Sequence, residues 1–211
     1  SSTTAPRFVA TWASSSTNIP GITSHDGASA KCGPRFALPR KKWGLNMRVL
    51  DLTHTIREDM PVFPGADTPK LLSASTYEHD GFKETLMQMY THTGTHMDPP
   101  AHLFADRTTL DAFPASQFIG RALVVDCRML AEGEAITVEQ LRPYGDKVTQ
   151  AEFLLFNLGW DKRWGTEAYF GDYPCLDDEV LDLIIDGGYK GIGFDVIGLD
   201  PIADENLTRH K

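Results

Sequence analysis

Five short stretches gather aliphatic, β-branched and aromatic residues and read as strands: 48–53, 84–91, 121–127, 153–158 and 190–196. Phe153 to Leu158 is almost wholly apolar but far too short to cross a membrane, so it reads as a buried strand. Thr137-Val-Glu-Gln140 has the capping-box pattern of a helix start, with Gln in the third place. From Asp177 to Asp186, Val180, Leu181, Ile184 and Ile185 recur at helical spacing, and Gly187-Gly188 marks the end. Strands separated by single helices predict a mixed α/β domain. Pro61, Pro64-Gly65, Pro69, Pro99-Pro100 and Pro114 mark long loops on one side of it, where chemistry usually sits. No internal repeat interrupts this order.

The first 46 residues follow neither period. They are rich in Ser, Thr, Ala, Pro and Gly, and such a stretch buries too little apolar surface to offset its ordering entropy. Met47 stands directly before the first strand candidate. Residues 1–46 therefore read as a flexible extension and 47–211 as the folded domain. The Ser-rich, acid-poor composition is leader-like, but no apolar h-region marks a secretory signal.

Charge sharpens the division. Residues 1–46 hold six basic side chains and one acid, a surplus of +5, so a chain of formal net charge −9 leaves 47–211 at −14. An acidic body repels phosphate backbones, which excludes nucleic acid as an expected partner. No stretch approaches the roughly 18 uninterrupted apolar residues of a membrane span. Cys32, Cys127 and Cys175 are widely spaced and odd in number, with neither a CxxC nor a zinc-finger pattern. Thiols of that kind fit a reducing compartment, and the expected location is the cytoplasm.

The chemistry concentrates in His92-Thr-Gly-Thr-His96-Met-Asp98-Pro-Pro-Ala-His102. Imidazole nitrogens and carboxylate oxygens are the ligands a borderline divalent cation prefers, with zinc and manganese both suited. If 92–98 is extended, His92, His96 and Asp98 share one face, because strand side chains alternate. Pro99-Pro100 then stops a regular strand and turns the chain, which can return His102 to the same place as an unligated base. Gly94 allows close backbone approach. An isolated histidine is usually structural; four ligand-type residues around a fixed Gly-Thr reverse that expectation.

At this motif the chain resembles the cyclase-like metal-dependent hydrolases that include bacterial kynurenine formamidase and isatin hydrolase. The resemblance runs from about Val49 to Lys211. It takes in Asp51-Leu-Thr-His54, Met60-Pro-Val-Phe-Pro-Gly65, the whole HTGTHMDPPAH motif, Leu155 to Asp161, Gly193-Phe-Asp195, Asp200-Pro201 and His210. It implies an α/β fold of swivelling β/β/α organisation with a mixed sheet. It also implies that His92, His96 and Asp98 ligate one zinc or manganese ion, that Asp98 bridges to a second ion where two are bound, that His210 ligates the second, and that His102 is the general acid/base. The implied reaction is amide hydrolysis by activated water, typically of N-formylkynurenine to kynurenine and formate in tryptophan catabolism. Homodimers or homotetramers are implied as well.

The motif identifies the family more closely than the substrate, and no substrate-binding residue follows from it. Opening of a cyclic amide of the isatin type is the alternative reaction. Relatives continue past the position of His210 into a strand with a Glu ligand, so 47–211 reads as a domain truncated at its C-terminus. Without that Glu, a non-catalytic metal-binding relative is the alternative of another class. An interaction protein working through the basic arm 1–46 is a third. Around the motif, His54 is either an orienting or a structural histidine, and Asp195 either an outer partner of the site or not. Phe63, Phe82, Trp160 and Trp164 line an aromatic pocket or fill the core. His79 and Asp80 read as loop residues.

Overall fold

The computed structural model describes residues 50–211 and the backbone of residues 8–11. In chain order the strands are β1 (Phe8–Thr11), β2 (Lys70–Ser75), β3 (Glu84–Gln88), β4 (His96–Asp98), β5 (Ala122–Asp126), β6 (Ala135–Ile136), β7 (Phe153–Asn157), β8 (Cys175–Leu176) and β9 (Gly191–Phe194). The helices are α1 (Tyr77–Asp80), α2 (Val138–Leu141), α3 (Lys147–Gln150) and α4 (Asp178–Gly187). A five-stranded sheet runs in the order β4–β1–β9–β7–β5. Its last four strands are parallel, and β4 closes one edge antiparallel to β1. β2–β3 is a separate antiparallel pair and β6–β8 a separate parallel one. This is the mixed α/β architecture the strand and helix pattern predicts.

The core sits on β7 and β9. Leu154, Phe156, Ile192 and Phe194 are buried, and the rings of Phe156 and Phe194 stack with centroids 5.1 Å apart. A parallel strand covered on both faces must be apolar almost throughout, which is why these runs read so plainly. α4 presents Val180 and Ile184 to the same core, while Ile185 is half exposed. Asp177 caps that helix by accepting the Val180 N–H at 2.9 Å, and Gly188 ends it at φ 67°, a left-handed turn that suits glycine. Thr137 and Gln140 form the expected capping box at α2. Among the described residues no helix is long and apolar enough to cross a membrane.

Two strand expectations are revised. Residues 50–53 form no strand, and 48–49 lie outside the described residues. A β-prone composition describes fit to a half-buried surface, and Leu50 is 59% exposed. Conversely, Phe8–Thr11 falls within the stretch read as an extension, yet its backbone pairs with β9 on one side and β4 on the other. Four residues show no period of their own; ladder hydrogen bonds from two neighbours specify such a strand. The chain divides into one unit of 1–15 with 52–211 and another of 16–51, of which only Leu50 and Asp51 are described. The remainder of 1–46 lies outside the described residues.

Candidate metal centre

The site is made by a change of backbone course around Gly94. Residues 92–95 turn, with Gly94 at φ 67°, and the chain becomes extended only at His96. The positive φ strains any side chain at Gly94, and a Cβ there would come within 2.8 Å of the Cε of buried Met60, whose terminal methyl would have to shift. Along β4 the period of two puts His96 and Asp98 on one face. His92 reaches the same place through the turn, not as the extended strand assumed from its even position. Pro99 then stops the strand, and Pro100–His102 forms a 3-10 turn in which the His102 N–H donates to the Pro99 carbonyl at 2.9 Å. The return brings the His102 ring against His92, centroids 3.8 Å apart.

His92, His96 and Asp98 each offer one ligand atom, and these atoms lie within 4.8 Å of one another. His96 Nδ1 is 2.8 Å from the Gly94 carbonyl. A carbonyl only accepts, so Nδ1 carries the proton and Nε2 the lone pair. Nε2 lies 3.3 Å from Asp98 Oδ1, and His92 Nδ1 closes on that same oxygen. Yet Asp98 Oδ1 is buried and accepts no hydrogen bond. Two imidazole nitrogens and a carboxylate oxygen crowded together in this way make a donor set that a single cation could share. The residues present fit a zinc- or manganese-type ion held by His92, His96 and Asp98.

Burial alone would raise the Asp98 carboxyl, but the imidazoles of His96, His92 and His102 hold it below its usual value. Burial lowers His96, and Asp98 with the Gly94 carbonyl outweighs it, so His96 ends above its ordinary value. His102 is lowered, first by burial and then by the charge of His92, against a smaller opposing pull from Asp98. Both effects favour its neutral form.

The other candidates fall around this centre. His54 donates its backbone N–H to Thr95 Oγ1 at 3.1 Å and stacks on Trp164, centroids 3.7 Å apart and 9° from parallel. Its Nε2 is buried with no partner, and burial lowers its pKa. Asp195 is fully buried and accepts the N–H groups of Leu158 and Trp160 at 2.8 and 2.9 Å. It fastens the loop after β7 and is not among the clustered ligands. His210 also stands outside that group; its Nδ1 pairs with Asp200 at 2.5 Å, and its charge still reaches His102. Trp160 is core, its indole donating to the Tyr169 carbonyl at 2.9 Å, whereas Phe63 and Phe82 are about half exposed. His79 is in α1, where Thr76 Oγ1 accepts its N–H at 3.4 Å, so the loop reading of His79 and Asp80 gives way to one helical turn. Sequence reasoning gave no role to Asp200 and missed Met60 beneath Gly94; a lone buried carboxylate and a long-range packing contact carry no local signature.

On this mixed α/β domain His92, His96 and Asp98 form a group that could hold a metal ion, with the His102 ring against His92. The Cyclase family model matches residues 50–201, and the chain belongs to that family. It is 30% identical over 171 residues to a kynurenine formamidase of Erythrobacter litoralis, covering 80% of this chain and 75% of that protein. A kynurenine formamidase of Bacillus cytotoxicus is 27% identical over 164 residues, 76% of this chain and 74% of that one. Among solved structures, isatin hydrolase A of Labrenzia aggregata, bound to benzyl benzoate, superposes with TM-score 0.65 at 26% identity over 77% of each chain.

Proposed function

We propose that this chain is a metal-dependent hydrolase of amide bonds, of the arylformamidase type, converting N-formylkynurenine to kynurenine and formate. The observation that carries the reading is the convergence of His92, His96 and Asp98, with Asp98 Oδ1 buried and without a hydrogen bond. A bound divalent cation supplies Lewis acidity, lowering the pKa of water from near 16 to about 7 and polarising a carbonyl. The chain's own part is to hold and protonate. The Gly94 carbonyl holds the His96 tautomer, and the turn at Pro99-Pro100 holds the His102 ring beside His92. Kept neutral by burial, His102 takes a proton from the attacking water and returns it to the leaving amine. In this reading His210 serves a second cation site.

Opening of a cyclic amide is the second reading, supported by the similarity to isatin hydrolase A. Turnover of N-formylkynurenine and of isatin by zinc- or manganese-loaded protein separates the two. We expect the open-chain formamide to be the better substrate. Faster isatin hydrolysis would reverse the order, and stoichiometric metal with neither activity would make the chain a metal-binding relative only.

Self-association and a cytoplasmic location belong to the same proposal. The β2–β3 pair leaves Leu72, Leu86 and Met87 about half exposed, a surface suited to a second copy of the chain. Buried thiols at Cys127 and Cys175, both pushed up in pKa by burial, suit a reducing compartment.

A further inference from the structure

We infer that Phe8–Thr11 is the strand on which the candidate cation site is mounted: it joins β4, the strand of His96 and Asp98, to the core of the sheet, so that docking of this segment and binding of a divalent cation reinforce each other. The mounting stands on the strand ladder alone; the coupling to a cation rests on the reading above.

β4 is an edge strand, and β1 lies between it and β9. Val9 stands opposite Asp98, Ala10 opposite Met97 and Thr11 opposite His96, so the register runs the whole length of β4 and takes in both ligands on it. On its other side β1 runs parallel to β9, from Phe8 opposite Gly191 to Thr11 opposite Phe194. β9 pairs in turn with β7 and is buried at every residue. Among the described residues, β4 therefore reaches the buried part of the sheet by way of β1. Without β1, β4 and β9 would stand two strand spacings apart, about 9–10 Å, too far for any ladder hydrogen bond.

The other fastenings of the ligand strand are local. The His54 N–H meets Thr95 Oγ1 at 3.1 Å just before β4, and the Pro100–His102 turn follows just after it. Neither belongs to the five-stranded sheet. Even a paired hairpin is marginal in water by itself, and a three-residue strand without a ladder is less than that. With β1 undocked, the cation would have to order His96 and Asp98 itself, and that ordering would be subtracted from its affinity. Linkage makes the effect reciprocal: if docking raises cation affinity by some factor, a bound cation stabilises the docked strand by the same factor. The segment is also separate in the chain from what it supports, since residues 1–15 group with 52–211 while 16–51 group apart.

The test uses the full chain with Ala10→Pro, which removes a ladder donor from an interior strand at the position opposite Met97 and not opposite a ligand. The conservative Ala10→Ser keeps that donor. Zinc affinity is read by calorimetry and strand order by amide hydrogen exchange. We expect Ala10→Pro to bind zinc about 5–150-fold more weakly than wild type, and its β4 amides directed at β1 to exchange faster even without metal. Ala10→Ser should follow the wild type in both. In the wild type, saturating zinc should slow exchange at residues 8–11 by the factor that Ala10→Pro loses in affinity. Exchange at 8–11 that bound zinc leaves unchanged would overturn the inference, whether or not a variant folds. So would a folded Ala10→Pro of wild-type affinity, or an equal loss in Ala10→Ser, which would place the effect in the side chain. A wild type that binds no zinc, while Ala10→Pro still releases β4, would defeat the cation reading and with it the coupling, leaving the mounting in place.

Discussion

The β7–β9 core and the 92–102 turn are built on opposite terms. In the core, Leu154, Phe156, Ile192 and Phe194 are apolar, buried and packed on one another, so each contact adds to the stability of the whole. In the turn, a buried carboxylate oxygen accepts no hydrogen bond and two imidazole rings are pressed to 3.8 Å. Groups left this way weaken a fold unless a ligand satisfies them. Stability is concentrated in one region and binding capacity in the other, and the two should be separable by mutation.

The largest effect is expected from Phe156→Ala. Removing a fully buried aromatic ring from the sheet centre costs about 3–5 kcal/mol, read as a lower urea midpoint. The folded fraction should still bind metal at wild-type stoichiometry; metal lost before unfolding would mean that core and turn are one cooperative unit. Gly94→Ala attacks the other region. A left-handed alanine costs about 1–2 kcal/mol, and its methyl must displace Met60, so metal affinity should fall by a larger proportion than the melting temperature. An unchanged affinity would dissociate the turn from the site.

Acid should act on the turn selectively. A ligand imidazole must be neutral, and His96 is held above its ordinary value of 6.5 by Asp98 and the Gly94 carbonyl against its burial. Lowering the pH therefore protonates His96 from above 6.5 downward, and metal affinity should decline from there, as a titration by calorimetry would show. A constant affinity down to pH 5.5 would contradict this. The smallest effect lies at the surface: the Arg128 guanidinium holds Asp126 at about 2, with burial opposing it. Arg128→Ala should return that carboxyl toward 3.8 in an NMR titration and leave metal binding and thermal stability nearly untouched, because exposed ion pairs contribute little.

The same contrast explains what could be read from sequence. The β7 and β9 runs and α4 declare themselves because complete burial demands continuous apolar residues, and a one-sided helix demands spacing at three and four. The motif declared its donors because ligand chemistry restricts residue types. Their arrangement was harder to see. Even numbering suggested a strand through His92, whereas Gly94 turns the chain and His92 arrives from another direction. Phe8–Thr11 has no pattern of its own and is a strand only because β9 and β4 flank it. Asp200 meets His210 across ten residues of bent chain, and Met60 lies beneath Gly94 from 34 positions away. Contacts of that kind belong to the folded chain, not to local periodicity.

The most direct test of the shared cation is elemental analysis by mass spectrometry after loading with zinc or manganese and removal of free ion. It would be run on wild type, His96→Ala and Asp98→Asn, each checked for folding by circular dichroism. The account predicts at least one equivalent of metal retained per wild-type chain and its loss from both folded variants. A metal-free wild type, or folded variants that keep the full equivalent, would contradict it.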